Sequence, residues 1–321
     1  MTSLTELKKD LKTDYFEVSQ GVWGMRILFV NVFMIEDIST GEWVLVDAGL
    51  KGSSNKIIKM AEDLFGKGSI PSAIILTHAH FDHVGALEAI LQEWNVPVYA
   101  HKMEMPYILG VSSYPPPDPT AGGGLMTLLS WTFPKDPIDI SPWAEELNED
   151  GNIPFIKEWE FIHTPGHTPG HISLFRRADK VLIAGDAIVT TQQESVFSVM
   201  TQEKKICGPP RYYTPDWPSA FQSVKKLSEL NPKTIAAGHG KPFSGGELQK
   251  DLDDLVAHFY EKSVPEESRY NEHPARANDK GVIFIPPLNT GTIIKTSISF
   301  LFGALVAMSL ISWVRSNRRS F

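Results

Sequence analysis

The chain has 321 residues, 42% hydrophobic and 21% charged, with 30 Lys+Arg against 38 Asp+Glu and a formal net charge of −8. That composition excludes a disordered, collagen-like or disulfide-scaffold protein, and the acidic balance argues against nucleic acid, which needs a basic face. The one cysteine, Cys207, cannot close an internal disulfide, and the mean hydropathy of −0.13 is that of a soluble chain on average.

The first 18 residues have no apolar stretch behind their charges, so no secretory signal is readable. The runs MRILFVNVFMIED from Met25 and GEWVLVDAG from Gly41 predict two strands separated by a polar turn. Apolar spacing predicts a helix over 53–65, with Ser54 and Asn55 as candidate caps. SAIILTHAH is a buried-type strand ending in a polar tip; a helical stretch from Val84 to Glu93 and the strand VPVYAHK follow. Residues 103–150, with SSYPPPDPTAGGG and WTFPKDPIDISPW, break every regular element, and their aromatics (Tyr107, Tyr114, Trp131, Phe133, Trp143) predict a packed lid over an active site.

WEFIHTPG, GHISLFRRA and KVLIAGDAI are three further strand-like runs. A helix over 216–230, the strand TIAAGHG and a helix over 247–262 complete the pattern. Two series of strands, each followed by helices, predict an α/β (α+β) domain in which two sheets pack together under outer helices. This catalytic domain is expected over 1–262, with 103–150 as its insert and 263–295 as a polar linker.

TSISFLFGALVAMSLISWV, 296–314, is free of charge and close to the roughly 20 residues that span hydrocarbon. Trp313 ends it, and Arg315, Arg318 and Arg319 lie in the basic tail 315–321. The expectation is a C-terminal transmembrane helix and a membrane-anchored protein. The arginines favour a cytoplasmic tail by the positive-inside rule, while the missing signal favours a cytoplasmic catalytic region. The two conflict, and the reading adopted puts the catalytic domain in the cytoplasm.

The chemistry is concentrated in Thr77-His78-Ala79-His80-Phe81-Asp82-His83, at the end of an apolar strand. Alternate residues of extended chain share a face, so His78 and His80 can aim at one centre. Once the chain turns into a helix, Asp82 and His83 can reach a second one. Imidazole and carboxylate are ligands that Zn²⁺ accepts. Three more loops end apolar strands with potential ligands: His167 in TPGHTPGH, flanked by His163 and His171; Asp186 in LIAGDA; His239 in AAGHGKP.

This set resembles the metallo-β-lactamase superfamily, whose signature reads His-x-His-x-Asp-His followed by separated His, Asp and His ligands. The resemblance covers about residues 20–260 and implies an αβ/βα sandwich with its metals at the edge between the sheets. It implies that His78, His80 and His167 hold one ion, that Asp82, His83 and His239 hold a second, and that Asp186 bridges them. Asp47, in VLVDAG, would orient a metal-bound imidazole. It implies two zinc ions per chain, with iron or manganese as alternatives, a bridging hydroxide as nucleophile, and Asp82 as both ligand and proton carrier. His163 and His171 read as structural; His101, His258 and His273 have no motif support, and Cys207 has no activating partner.

Within the superfamily, Asp186 disfavours the β-lactam branch, which bears Cys or Ser there. His80 disfavours flavodiiron-type reductases, which bear Glu. No Gly-Cys-Gly-Arg follows Asp186, unlike in glyoxalase II and the persulfide dioxygenases, and Val189 stands where quorum-quenching lactonases place Tyr. The pattern looks most like bacterial metallo-hydrolases with a GDA motif, Gln-Glu-Ser and Gly-Pro-Pro-Arg-Tyr. The expected activity is hydrolysis of an ester, thioester or lactone in a small molecule; an iron-dependent sulfur dioxygenase or a phosphodiester hydrolase is the alternative.

Overall fold

The computed structural model describes residues 15–287. Its first sheet holds seven strands in chain order: β1 Tyr15–Ser19, β2 Val22–Ile27, β3 Val30–Glu36, β4 Trp43–Val46, β5 Ala73–Ile75, β6 Val98–Ala100 and β7 Ala144–Glu146. The pairings from β1 to β4 are antiparallel, and those from β4 to β7 are parallel. The second sheet runs in the order β12 (Phe243–Ser244), β11 (Thr234–Ala236), β10 (Val181–Ile183), β9 (Ile172–Arg176), β8 (Trp159–His163). A further hairpin pairs β13 Arg276–Asn278 with β14 Gly281–Phe284.

The period-2 pattern of the strands sorts the core into layers. In β3, Phe33 and Ile35 face inward and meet Leu174, Ile172 and Ile183 of the second sheet. Val32 and Met34 face the other way, onto Ile57, Met60, Leu87 and Ile90 of the helices Ser54–Phe65 and Leu87–Trp94. Phe175, Leu182 and Ile235 carry the outer face of the second sheet onto Trp217, Val224, Leu252 and Leu255 of the helices Trp217–Glu229 and Leu248–Ala257. Helices outside and two sheets inside make an αβ/βα sandwich.

Several elements differ in detail from the sequence reading. The long apolar run from Met25 is two strands, because the chain reverses at Leu28, a non-glycine residue at φ +59°. The 84–93 stretch is split into the helices Phe81–Val84 and Leu87–Trp94. Part of the segment read as a linker holds the β13–β14 hairpin, where Val282 N–H donates to Ser112 Oγ at 3.1 Å.

The expected C-terminal transmembrane helix is corrected. No helix among the described residues is long and apolar enough to cross a membrane. The helix Trp217–Glu229 has 13 residues and reaches about 20 Å at 1.5 Å per residue, against about 30 Å of hydrocarbon. The segment 296–314 lies outside the described residues. Among the described residues the architecture is the sandwich alone, and the membrane-bound location expected from an anchor finds no support there.

Candidate metal centre

The chain gathers its polar strand ends at one edge of the sandwich. Asp47 follows β4, His78 follows β5, Asp186 follows β10 and His239 follows β11, while His167 and His171 sit in the β8–β9 connection. Backbone bonds hold these ends in register: Ile172 N–H to Thr77 O at 3.0 Å joins the two sheets, and Gly238 N–H to Gly185 O at 2.8 Å joins the Asp186 and His239 loops. A Cβ at Gly238 would lie 2.1 Å from Asp186 Oδ1 and 2.9 Å from His83 Cε1, so only glycine lets that backbone pass so close.

Three sets of ligand atoms converge there, each within 4.8 Å: His78, His80 and His167; His78, His83 and Asp186; Asp82, His83 and His239. All seven residues are buried. His80 Nδ1 lies 3.0 Å from His167 Nε2. Asp186 Oδ2 lies 3.1 Å from His239 Nε2 and 3.5 Å from His167 Nε2, its Oδ1 3.6 Å from His83 Nε2, and Asp82 Oδ2 is 3.5 Å from His239 Nε2. Ligands at 2.0–2.1 Å from a tetrahedral ion stand about 3.3 Å apart, so this spacing suits ions between the groups.

Hydrogen bonds on the far sides of the rings set the tautomers. His239 Nδ1 donates to Phe29 O at 2.7 Å and His83 Nδ1 to Asp47 Oδ2 at 2.8 Å, so both Nε2 lone pairs point inward. Asp47 also accepts from Thr77 N–H and Thr77 Oγ1, both at 2.8 Å, and sits at φ +60°. His171 is different: its Nε2 accepts Asp186 N–H at 2.8 Å, and its Nδ1 lies 2.8 Å from Thr164 Oγ1. With that lone pair committed, His171 fixes the Asp186 backbone and cannot ligate. His163 donates to Pro169 O at 2.9 Å and stacks on His101 at 4.0 Å, away from the ligand sets.

The electrostatics ask for cations. Burial, and then the neighbouring rings, hold His78 and His80 well below the ordinary imidazole value. Burial lowers His167 to about 4. For His83, burial acts downward, but Asp47, Asp186 and Asp82 outweigh it and raise the ring to about 10. Burial pushes Asp82 up; against its own burial, Asp186 is held far below the carboxylate range by His239, His83 and His167. His78 Nε2, His83 Nε2 and Asp186 Oδ1 are buried with no hydrogen-bond partner. Buried carboxylates and orphaned lone pairs facing one another cost free energy unless a positive centre meets them. The donor set therefore fits divalent metal.

Two features escaped the sequence reading. Glu104 is fully buried and holds three segments together: its Oε1 accepts from Thr168 Oγ1 at 2.6 Å and Gly170 N–H at 2.7 Å, and its Oε2 from Ala79 N–H at 3.2 Å and from the Tyr114 hydroxyl. Burial pushes it up to about 7, against those four donors. In HKMEMPYI it looks like any solvated glutamate, and only the burial of its neighbours could have marked it. The second is an aromatic clasp on His80: the Tyr114 ring at 4.6 Å and the Tyr213 ring at 4.4 Å. Glu104→Ala strands the Gly170 amide and the Thr168 hydroxyl, at about 1–3 kcal/mol each, while Ala79 N–H keeps the Tyr114 hydroxyl oxygen at 3.0 Å. The expected result is a cooperative unfolding transition several degrees lower; an unchanged Tm would refute the tie.

A two-sheet sandwich with a buried His/Asp cluster at its edge defines a metal-site protein, and the family and relatives that it matches make it a metal-dependent hydrolase. The family model described as the metallo-beta-lactamase superfamily matches residues 25–239, and the chain belongs to that superfamily. It is 47% identical over 242 residues to Probable metallo-hydrolase YflN of Bacillus subtilis, covering 75% of this chain and 92% of that protein. Hydroxyacylglutathione hydrolase of Bdellovibrio bacteriovorus is 24% identical over 205 residues, 64% of this chain and 60% of its own. The crystal structure of a beta-lactamase domain protein from Burkholderia ambifaria shares the fold at TM-score 0.54 and 21% identity, covering 79% of each chain.

Proposed function

We propose that the chain hydrolyses an ester, thioester or lactone of a small molecule with two zinc ions. His78, His80 and His167 would hold one, Asp82, His83 and His239 the other, and Asp186 would be shared. The observation that supports this reading is the convergence of three overlapping His/Asp sets, each within 4.8 Å; a single iron centre has no use for the Asp82, His83 and His239 set. The relative named hydroxyacylglutathione hydrolase supports acyl transfer to water. When bound, the ions supply a water acidified into the neutral range and a Lewis acid for the carbonyl oxygen.

The protein's own groups supply the rest. Asp47 keeps His83 in one tautomer, and His171 clamps the Asp186 backbone, so the lone pairs stay aimed without reorganisation during the reaction. Water adds to the acyl carbon and the bond to the leaving oxygen or sulfur breaks, giving an acid and an alcohol or thiol. Asp82, whose carboxyl burial makes more basic, takes the proton from that water and passes it to the leaving atom. Purified protein is expected to carry close to two zinc ions per chain by elemental analysis, and His78→Ala to lose ester hydrolysis. One iron and no zinc, or unchanged turnover in His78→Ala, would overturn the proposal.

A further inference from the structure

The cavity over the ligands is almost closed. It measures about 10 Å³, room for about one water, so an ester cannot reach Asp186 and His239 until its cover moves. Apart from ligands and Pro210, its walls are Phe29, Phe81, Met126, Phe133, Tyr212 and Tyr213. Phe133 stacks on Tyr213 at 6.2 Å and meets Phe81 at 5.6 Å. Among the lining residues there is no Lys or Arg. Arg211, between Pro210 and Tyr212, turns away and donates to Lys262 O, and the Tyr213 hydroxyl is engaged by Pro134 O at 3.2 Å.

The cover is built to move. Met126 and Phe133 lie on the short helix Leu125–Leu129 and just after the 3₁₀ turn Ser130–Thr132. Three glycines, Gly122, Gly123 and Gly124, precede them at φ +85°, +69° and +93°, and Pro134 follows. Glycine absorbs large backbone rotations at no steric cost, so the segment is hinged at its N-terminal end. Its outer residues Leu125 and Leu129 are 52% and 41% exposed, so this face is not packed under another element.

We propose that the substrate is a neutral ester or lactone with an aliphatic acyl chain. The chain lies against Phe81, Met126, Phe133 and Tyr213 once the 122–134 segment has swung outward. This rests on the hydrolase reading above. A phosphate or carboxylate against these walls would lose its water with no side-chain cation to replace it. A methylene loses nothing, and its burial is worth about two- to fourfold in kcat/KM. Met126 and Phe133 are then the specificity-determining residues.

The test uses the full, zinc-loaded chain with 4-nitrophenyl acetate, 4-nitrophenyl hexanoate and bis(4-nitrophenyl) phosphate. Hexanoate is expected to exceed acetate at least tenfold in kcat/KM, with the phosphodiester far slower. Met126→Ala combined with Phe133→Ala is expected to bring the hexanoate-to-acetate ratio near one, with zinc content checked in parallel. Binding of 2-octanone against 2-butanone, followed by Trp131 emission with Trp131→Phe as control, reads the same preference without turnover and is expected to differ at least tenfold. Esters cleaved equally at every chain length would overturn the acyl wall and leave the hydrolase reading standing. Cleavage of the phosphodiester alone, or of nothing, would overturn both.

Discussion

Asp186→Ala is expected to abolish ester hydrolysis while leaving a folded protein with less than two zinc ions per chain. The carboxylate lies within 3.6 Å of His83, His167 and His239, so its loss removes the group that the proposal shares between the two ions. Charge stabilisation by a metal is worth several kcal/mol in a transition state, and each 1.36 kcal/mol is tenfold in rate; a loss of about 10³-fold or more follows. The fold should persist, because the Asp186 backbone remains bonded to His171 and lies next to the core residues Ala184 and Ala187. Asp186→Asn separates charge from shape: it keeps an oxygen acceptor but not the negative charge. If Asp186→Ala retains full turnover and two ions, the shared-ligand role is wrong. If it unfolds, Asp186→Asn still decides by metal count and rate.

The spread of this site between readable and unreadable residues has a physical cause. His78, His80, Asp82 and His83 were legible because they lie within six positions of a strand-to-helix turn, where local geometry alone says which residues converge. Asp186 and His239 were legible because each ends an apolar strand beside a glycine. Asp47 was reached through its DAG turn and is found 2.8 Å from His83. Glu104 was not legible, since its partners Ala79, Tyr114, Thr168 and Gly170 come from three other stretches of chain. Nor was the reversal at Leu28, where an aliphatic residue takes a conformation that favours glycine, although it brings Phe29 O onto His239. The two-layer packing could be argued from strands and helices in series. The near closure of the cavity could not, because it depends on where the 122–134 segment comes to rest. The 296–314 run shows the opposite risk, an inference from an apolar run and its aromatic and basic flank that lies outside the described residues and finds no support within them.

Removing the metal is expected to destabilise the protein more as the pH rises from 6 to 9. Without ions, the cluster keeps charge balance by protonating His83, which Asp47, Asp186 and Asp82 raise to about 10 against the effect of burial. A folded value above the unfolded one of about 6.5 means that this group's stabilisation is complete below about pH 6.5 and fades as the pH climbs through about 10. His78, His80 and His167 have the opposite sign. They are depressed by burial, so they favour the folded state above about 6.5 and lose that contribution as the pH falls. In the loaded protein a cation takes the place of the His83 proton, and metal affinity grows as that proton becomes easier to displace. At free metal about 10³ times its dissociation constant, binding adds about 4 kcal/mol, and in a chain of this size that is about 10 °C in Tm. The measurement is the Tm of chelated and zinc-loaded protein at pH 6, 7.5 and 9. A gap that widens with pH is the expected result. A gap that is absent, or that narrows toward pH 9, would show that no cation replaces the His83 proton and that the buried carboxylates are balanced in some other way.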